Sequence, residues 1–166
     1  GIEGVKAAIE DEAAQARLAK TLENVTGATQ SQIKATEDYI LKTELATGKT
    51  DTELRGALGR LALSTESTTK AQELLNLALD VSAATGKPLE AVSNALGKAY
   101  DGQTTALGKL GLGLSSAELK GKSFADVQKI LDDRFSGASA AAAETYEGRI
   151  ARVSRALDEA KEDRKS

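Results

Sequence analysis

Residues 48–61 read Gly48-Lys-Thr-Asp-Thr-Glu-Leu-Arg-Gly-Ala-Leu-Gly-Arg-Leu61, and this segment ends one helix and begins the next. Gly48 can adopt the left-handed conformation that commonly closes a helix. Thr50 and Glu53 have the spacing of a capping box, in which each side chain accepts a hydrogen bond from the other residue's backbone N–H. The apolar face of a new helix follows at spacings of four and three: Leu54, Leu58 and Leu61. This pattern predicts a short helix that packs through leucines.

The same alternation of apolar faces and small helix-ending residues continues along the chain. Proline is tolerated in the first turn of a helix, and glycine is favoured just after its end. We therefore predict helix-end turns at five positions: Gly48, Gly86, Pro88, Gly102 and Gly137. No segment shows the apolar–polar alternation of a strand. The sequence predicts an all-α fold, a bundle of about seven to eight mostly short helices with longer N- and C-terminal helices.

The composition excludes several kinds of chemistry. The 166 residues include no Cys, His, Met or Trp. Without Cys and His there is no thiol nucleophile, no Ser-His-Asp triad and no imidazole or thiolate ligand for zinc. We predict no enzymatic activity, no catalytic, cofactor-binding or metal-binding residues, and no cofactor.

The charge pattern also narrows the set of partners. The net charge is −3, and the 22 basic and 25 acidic side chains are interspersed. This distribution offers no basic patch for nucleic acid, and no apolar run approaches the roughly 20 residues needed to cross a bilayer. We expect no nucleic-acid specificity and no membrane contact for this segment. Because the chain begins with Gly1 rather than Met, we expect a processed product or a fragment of a larger parent.

The pattern divides the chain into three parts. Residues 1–29 form an N-terminal helix, residues 30–137 form a helical module, and residues 138–166 form a C-terminal helix with heptad spacing. We expect the two terminal helices to lie antiparallel against each other.

Each terminal helix carries an apolar face, and we predict that both faces serve packing or self-association. The N-terminal stripe consists of Ile2, Val5 and Ile9. The C-terminal stripe consists of Tyr146, Ile150, Val153 and Leu157. The heptad spacing of the C-terminal stripe fits a coiled coil, and it fits equally a helix that packs on its own domain. The sequence leaves both interpretations open.

Two longer segments closely resemble the tape measure proteins of long-tailed bacteriophages and prophages. They are residues 79–115 and 135–154, and the likeness extends over about residues 31–160. Its most specific parts are Ala-Thr-Gly-Lys at 84–87, Leu-Gly-Lys-Ala-Tyr-Asp-Gly at 96–102, and Phe-Ser-Gly at 135–137 leading to Gly148-Arg149.

This resemblance implies a non-enzymatic structural segment of a long, mostly helical parent. Such a parent lies in the lumen of the tail tube in the virion, sets tail length and templates assembly of the tube in the cytoplasm of the bacterial host. The partners that the resemblance implies are the tail tube protein and tail assembly chaperones, and the apolar stripes add a second copy of the chain as a candidate partner.

Two other functions remain alternatives. A generic helical protein–protein interaction module would show the same apolar faces. A carboxylate-dependent cell-wall hydrolase would need two carboxylates converging on a groove. The adjacent acidic pairs are Glu37-Asp38, Asp132-Asp133 and Asp158-Glu159. Neighbours on a helix point about 100° apart, so these pairs indicate a solvated helix surface instead.

Overall fold

The computed structural model describes residues 1–163, and every regular element in that range is a helix, which confirms the all-α bundle. The helices are α1 (Ile2–Thr26), α2 (Gln30–Thr47), α3 (Asp51–Thr65), α4 (Thr68–Thr85), α5 (Leu89–Tyr100), a 3-10 helix (Thr104–Leu110), α6 (Ser116–Leu119), α7 (Phe124–Phe135), α8 (Ala138–Ala143) and α9 (Tyr146–Asp163). Of these, α6 and α8 have only 4 and 6 residues.

Hydroxyl side chains begin several of these helices. At α3 the capping box is complete: Thr50 Oγ1 accepts from the Glu53 N–H at 3.1 Å, and the Thr50 N–H donates to Glu53 Oε1 at 3.2 Å. Ser115 and Ser123 cap α6 and α7 by accepting from the backbone N–H three residues later. These bonds satisfy donors that a helix start otherwise leaves unpaired.

The core lies between α3, α4 and α5, and α3 packs against both of the others. Its largest side chains from these helices are completely buried: Leu54, Leu58, Leu61, Leu74, Leu75, Val81 and Leu96. The 3-10 helix packs on α5, while α7 and α8 pack on α4. We refer to residues 30–135 as the body.

The predicted turns all lie at helix ends. Gly48 and Gly86 follow α2 and α4 in the left-handed conformation, with φ of 78° and 75°. Pro88 immediately precedes α5 rather than lying in its first turn, and Gly102 follows the end of that helix by two residues. Gly137, with φ of 82°, separates α7 from α8.

The C-terminal part differs from the prediction of one continuous helix. Residues 138–163 form α8 and α9, which are separated at Glu144 and Thr145. The new helix starts here because Thr145 Oγ1 accepts from the Gly148 N–H at 3.1 Å, as an N-terminal cap does. A side chain at position 148 would collide with the backbone of Ala142 and Ala143. The remaining predicted residues of this helix, 164–166, lie outside the described range.

Candidate functional site

Both predicted stripes lie on the outside of the molecule. In the N-terminal stripe the exposed fraction reaches 78% at Ile2, and in the C-terminal stripe it is 57% at both Val153 and Leu157. The remaining members, Val5, Ile9, Tyr146 and Ile150, are also exposed. Every member of both stripes is more than half exposed among residues 1–163, so the C-terminal stripe is not the face through which α9 contacts the rest of the chain. A role of the stripes in self-association stays a prediction.

The helix α9 docks through the side opposite its stripe. It contacts α2, α8 and α1. Ala151, Arg152 and Arg155 are partly buried, and a Cβ added at Gly48 would lie 2.5 Å from the Cβ of Ala151. Because each residue turns a helix by about 100°, Val153 points some 200° away from Ala151. The docked face of α9 therefore consists of an alanine and two arginines, and the apolar face is exposed.

The helix α1 buries one side of its C-terminal half only. Leu18 and Leu22 are buried, and Leu18 lies against Gly59 of α3. The N-terminal stripe lies on the opposite side of the same helix and is exposed. Gly1–Gly4 lies beside Asp158, Lys161 and Glu162 of α9 in a groove of about 790 Å³. The terminal helices thus meet at these ends, and their antiparallel packing stays a prediction.

Beneath α9 the fold assembles a group of acidic side chains that the sequence analysis missed. We call it the carboxylate cluster, and its members come from α1, α2, α3 and α9: Asp11, Glu44, Asp51, Glu159 and Glu162. Carboxylate oxygens of Glu44, Asp51 and Glu159 lie within 4.8 Å of one another, as do those of Asp11, Asp51 and Glu162. Four helices therefore bring negative charge to one place.

The cluster has a basic neighbour in Arg55, whose side chain is 10% exposed. Its guanidinium binds Asp11 at 2.8 Å, Glu37 at 2.9 Å and Asp51 at 3.4 Å. Although burial lowers the pKa of Arg55, its hydrogen bonds to Glu37 and Asp11 raise it above the usual value. A single positive charge is thus divided among three carboxylates.

Glu44 is the most buried member, with 4% of its surface exposed. Its Oε2 accepts from the Asp51 N–H at 2.7 Å, at the start of α3. Its Oε1 is buried and has no hydrogen-bond donor among the described residues. The Glu44 carboxylate also interacts with the carboxyl group of Glu159. Its unpaired oxygen is thus part of the carboxylate cluster.

Crowding changes how these groups ionise. Burial and the neighbouring Glu44 raise the pKa of Glu159 to about 8. Burial and the charge of Glu159 raise the pKa of Glu162 to about 7. Burial also raises the pKa of Glu44 and of Asp51. Although burial opposes the change, hydrogen bonds to Asp51 and Arg55 lower the pKa of Asp11.

Most of the acidic pairs considered from sequence do not enter this cluster. Asp132, Asp133 and Asp158 are exposed, and Glu37 pairs with Arg55 at its edge. Only Glu159 lies in the cluster, together with residues up to 148 positions away along the chain. A usable signal was present, because Glu159 and Glu162 share the side of α9 opposite its stripe.

Within residues 1–163, no helix combines the length and apolar character needed to cross a bilayer. Comparison with protein-family models, curated proteins and solved structures finds no match for this chain. A functional proposal therefore depends on the stripes, the cluster and the resemblance described above.

Proposed function

We propose that this chain is a non-enzymatic structural segment of a bacteriophage tail tape measure protein, which sets tail length and templates assembly of the tail tube. In this proposal the segment resides in the lumen of the tail tube, after assembly in the cytoplasm of the bacterial host. Its partners are other copies of itself, the tube protein and assembly chaperones.

The observation that carries the proposal is the outward apolar face on each terminal helix. Clustered apolar side chains on a protein surface are typical of interaction sites. The N-terminal and C-terminal stripes lie on the helices that flank the body, so each is accessible to a neighbouring subunit. An assembly protein needs such faces, whereas a catalyst needs a concave site.

The motifs that carry the resemblance lie at junctions between helices. Residues 84–87 connect α4 to α5, residues 96–102 end α5, and residues 135–149 connect α7, α8 and α9. These segments determine where each helix ends and how the next one begins. The resemblance is therefore consistent with a shared helical framework and does not depend on any reactive group.

A generic helical interaction module is the second candidate, because the same exposed stripes favour it. The genomic setting distinguishes the two. A tape measure segment should be encoded within a very long reading frame beside tail genes, and a short frame without such neighbours would favour the generic module.

A carboxylate-dependent hydrolase is the weaker alternative. The cavity beside the carboxylate cluster has a volume of about 170 Å³, below the roughly 300 Å³ at which small-molecule pockets begin. Glu44 is buried there and is held by the backbone of α3. We expect no release of soluble fragments from purified cell walls, and their release would contradict the non-enzymatic proposal.

Tail length provides the decisive experiment. Deletion of the codons for this segment from its parent phage should shorten the tail, by up to about 250 Å if the segment is an extended helix at 1.5 Å per residue. Electron microscopy measures the length directly. As a matched control, Ile150→Asp with Val153→Asp keeps the number of residues, so it should reduce the yield of tails without shortening them. Unchanged tail length after the deletion would contradict the proposal.

A further inference from the structure

The carboxylate cluster is the most unusual electrostatic feature of the described residues. Three of its carboxylates come from different helices: Glu44 from α2, Asp51 from α3 and Glu159 from α9. Their oxygens lie within 4.8 Å of one another. At such distances ionised carboxylates repel one another strongly unless a positive charge lies between them. Of the three, Arg55 reaches only Asp51, at 3.4 Å, and its shorter ion pairs are with Asp11 and Glu37. Glu44 and Glu159 take part in none of the ion pairs among residues 1–163.

A second, independent observation indicates a missing partner. The Glu44 side chain is almost completely buried, and its Oε1 has no hydrogen-bond donor among the described residues. Buried polar atoms nearly always have a partner, so an unpaired carboxylate oxygen needs an explanation. Oε2 is already satisfied by the Asp51 N–H. The Glu159 carboxyl lies within hydrogen-bonding reach of the same Glu44 carboxylate, so two acceptors face each other unless a proton or a cation lies between them. The acceptor without a donor is therefore Oε1 of Glu44, which is itself a member of the carboxylate cluster.

We propose that Glu44, Asp51 and Glu159 form a binding site for a hard divalent cation of the Ca²⁺ class. Such cations prefer oxygen ligands and accept carboxylates in flexible arrangements. The oxygens of the three carboxylates lie within 4.8 Å of one another, close enough to coordinate one ion together. Mg²⁺ is usually held by one or two carboxylates and keeps several waters, so three carboxylates in one place favour Ca²⁺.

The surroundings suit an ion with bound water. The adjacent cavity of about 170 Å³ is lined by Asp11, Glu44, Asp51 and Glu159. Its volume accommodates several water molecules, which complete the six to eight ligands of Ca²⁺. The remaining charged groups around the site are Asp11, Glu37, Asp38, Glu162 and Arg55. Asp11 and Glu37 pair with Arg55, and the additional carboxylates strengthen the attraction for a cation without occupying the three coordinating positions.

The site has a structural consequence because its ligands come from both the body and α9. Glu44 and Asp51 belong to α2 and α3, while Glu159 belongs to α9. A bound cation therefore fastens α9 to the body and keeps the C-terminal stripe directed outward. This inference goes beyond the proposed assembly function, and it holds or fails whatever the parent protein is.

Thermal unfolding and calorimetry test the site. The full chain is treated with chelator, and CaCl₂ is then compared with NaCl of equal ionic strength. We expect measurable heat of binding, an affinity of about 0.1–1 mM or tighter, and an unfolding midpoint several degrees higher. Glu159→Gln should abolish both responses. The matched control is Glu147→Gln, an exposed glutamate of the same helix, which should respond like the unaltered chain.

Three results would overturn the proposal: no heat and no midpoint change at millimolar Ca²⁺, an equal response in Glu159→Gln, or a response to NaCl alone. The first result would mean that a proton shared between Glu44 and Glu159 satisfies the cluster instead. Circular dichroism of Glu159→Gln verifies that it folds. Should it not fold, Asp51→Asn provides the second test, because it removes the charge of a ligand in the body.

Discussion

Two helices with the same spacing of apolar residues, α3 and α9, differ in whether those residues are buried. In α3, Leu54, Leu58 and Leu61 recur at spacings of four and three and are completely buried in the body. In α9, the stripe from Tyr146 to Leu157 has equivalent spacing, and every member is exposed. Apolar periodicity therefore identifies one face of a helix, but it does not determine whether that face is buried.

The difference arises on the other side of each helix. The outer face of α9 is apolar, while its docked face contains Ala151, Arg152 and Arg155 and lies against Gly48. The Nε atoms of both arginines are buried without a hydrogen-bond partner among the described residues. The close approach of Ala151 to Gly48 positions α9, whereas burial of leucines positions α3.

The largest expected effect is a difference in stability between α3 and α9 when a leucine of each is replaced by alanine. Leu58→Ala removes a fully buried side chain and should lower the free energy of unfolding by about 2–5 kcal/mol. Leu157→Ala removes an exposed one and should change it by less than about 0.5 kcal/mol in the monomer. Denaturant unfolding at low protein concentration measures both values. Equal losses would show that the C-terminal stripe is part of the core.

Substitution of two glycines tests whether α9 docks on the body at Gly48. Gly48 and Gly86 are both left-handed, with φ of 78° and 75°, so alanine costs about 1–2 kcal/mol of backbone strain at each. Only Gly48→Ala also places a Cβ against Ala151 of α9.

We therefore expect Gly48→Ala to be the more destabilising of the two and to increase amide hydrogen exchange selectively in α9. For Gly86→Ala, where the added Cβ meets nothing within 4 Å, exchange in α9 should stay unchanged. If the two variants behave alike in α9, Gly48 is not where that helix docks.

A smaller effect concerns pH and arises mainly at the carboxylate cluster beneath α9. Glu159 has a pKa of about 8 in the folded chain against 4.5 as its ordinary value, so the folded state binds the extra proton between these limits. Stability should therefore fall as pH rises through this range. Glu162, Glu44 and Asp51 act in the same direction, because their pKa values are also raised.

The lowered pKa of Asp11 acts in the opposite direction, since its contribution is lost as pH falls below its ordinary value of 3.8. Melting curves measured in chelator from pH 4.5 to 8 provide the check. Glu159→Gln should flatten the dependence. A midpoint that rises with pH in the unaltered chain would have the wrong sign.

The helical framework was predictable from sequence because its determinants are local. A glycine next to a capping box, such as Gly48 before Thr50 and Glu53, specifies a boundary without reference to distant residues. The break at Glu144 and Thr145 was missed because a run of alanines favours helix throughout, and the close approach of Gly148 to α8 is a tertiary contact.

The candidate site was less predictable, for a related physical reason. The stripes can be identified from the sequence as apolar helix faces, but the direction of the C-terminal stripe depends on which face of α9 contacts α2. The carboxylate cluster combines Asp11, Glu44, Asp51, Glu159 and Glu162, and no short spacing connects them. Only the folded arrangement of four helices brings them together.

Thiol reactivity reports whether the C-terminal stripe is directed outward. The chain has no cysteine, so Val153→Cys and Val81→Cys each introduce a single reporter of similar size. Val153 is 57% exposed and Val81 is completely buried. We predict that Val153→Cys reacts with a thiol reagent nearly as fast as a free thiol, while Val81→Cys reacts only after unfolding. Protection of Val153→Cys that persists when the chain is diluted to a monomer would contradict the account.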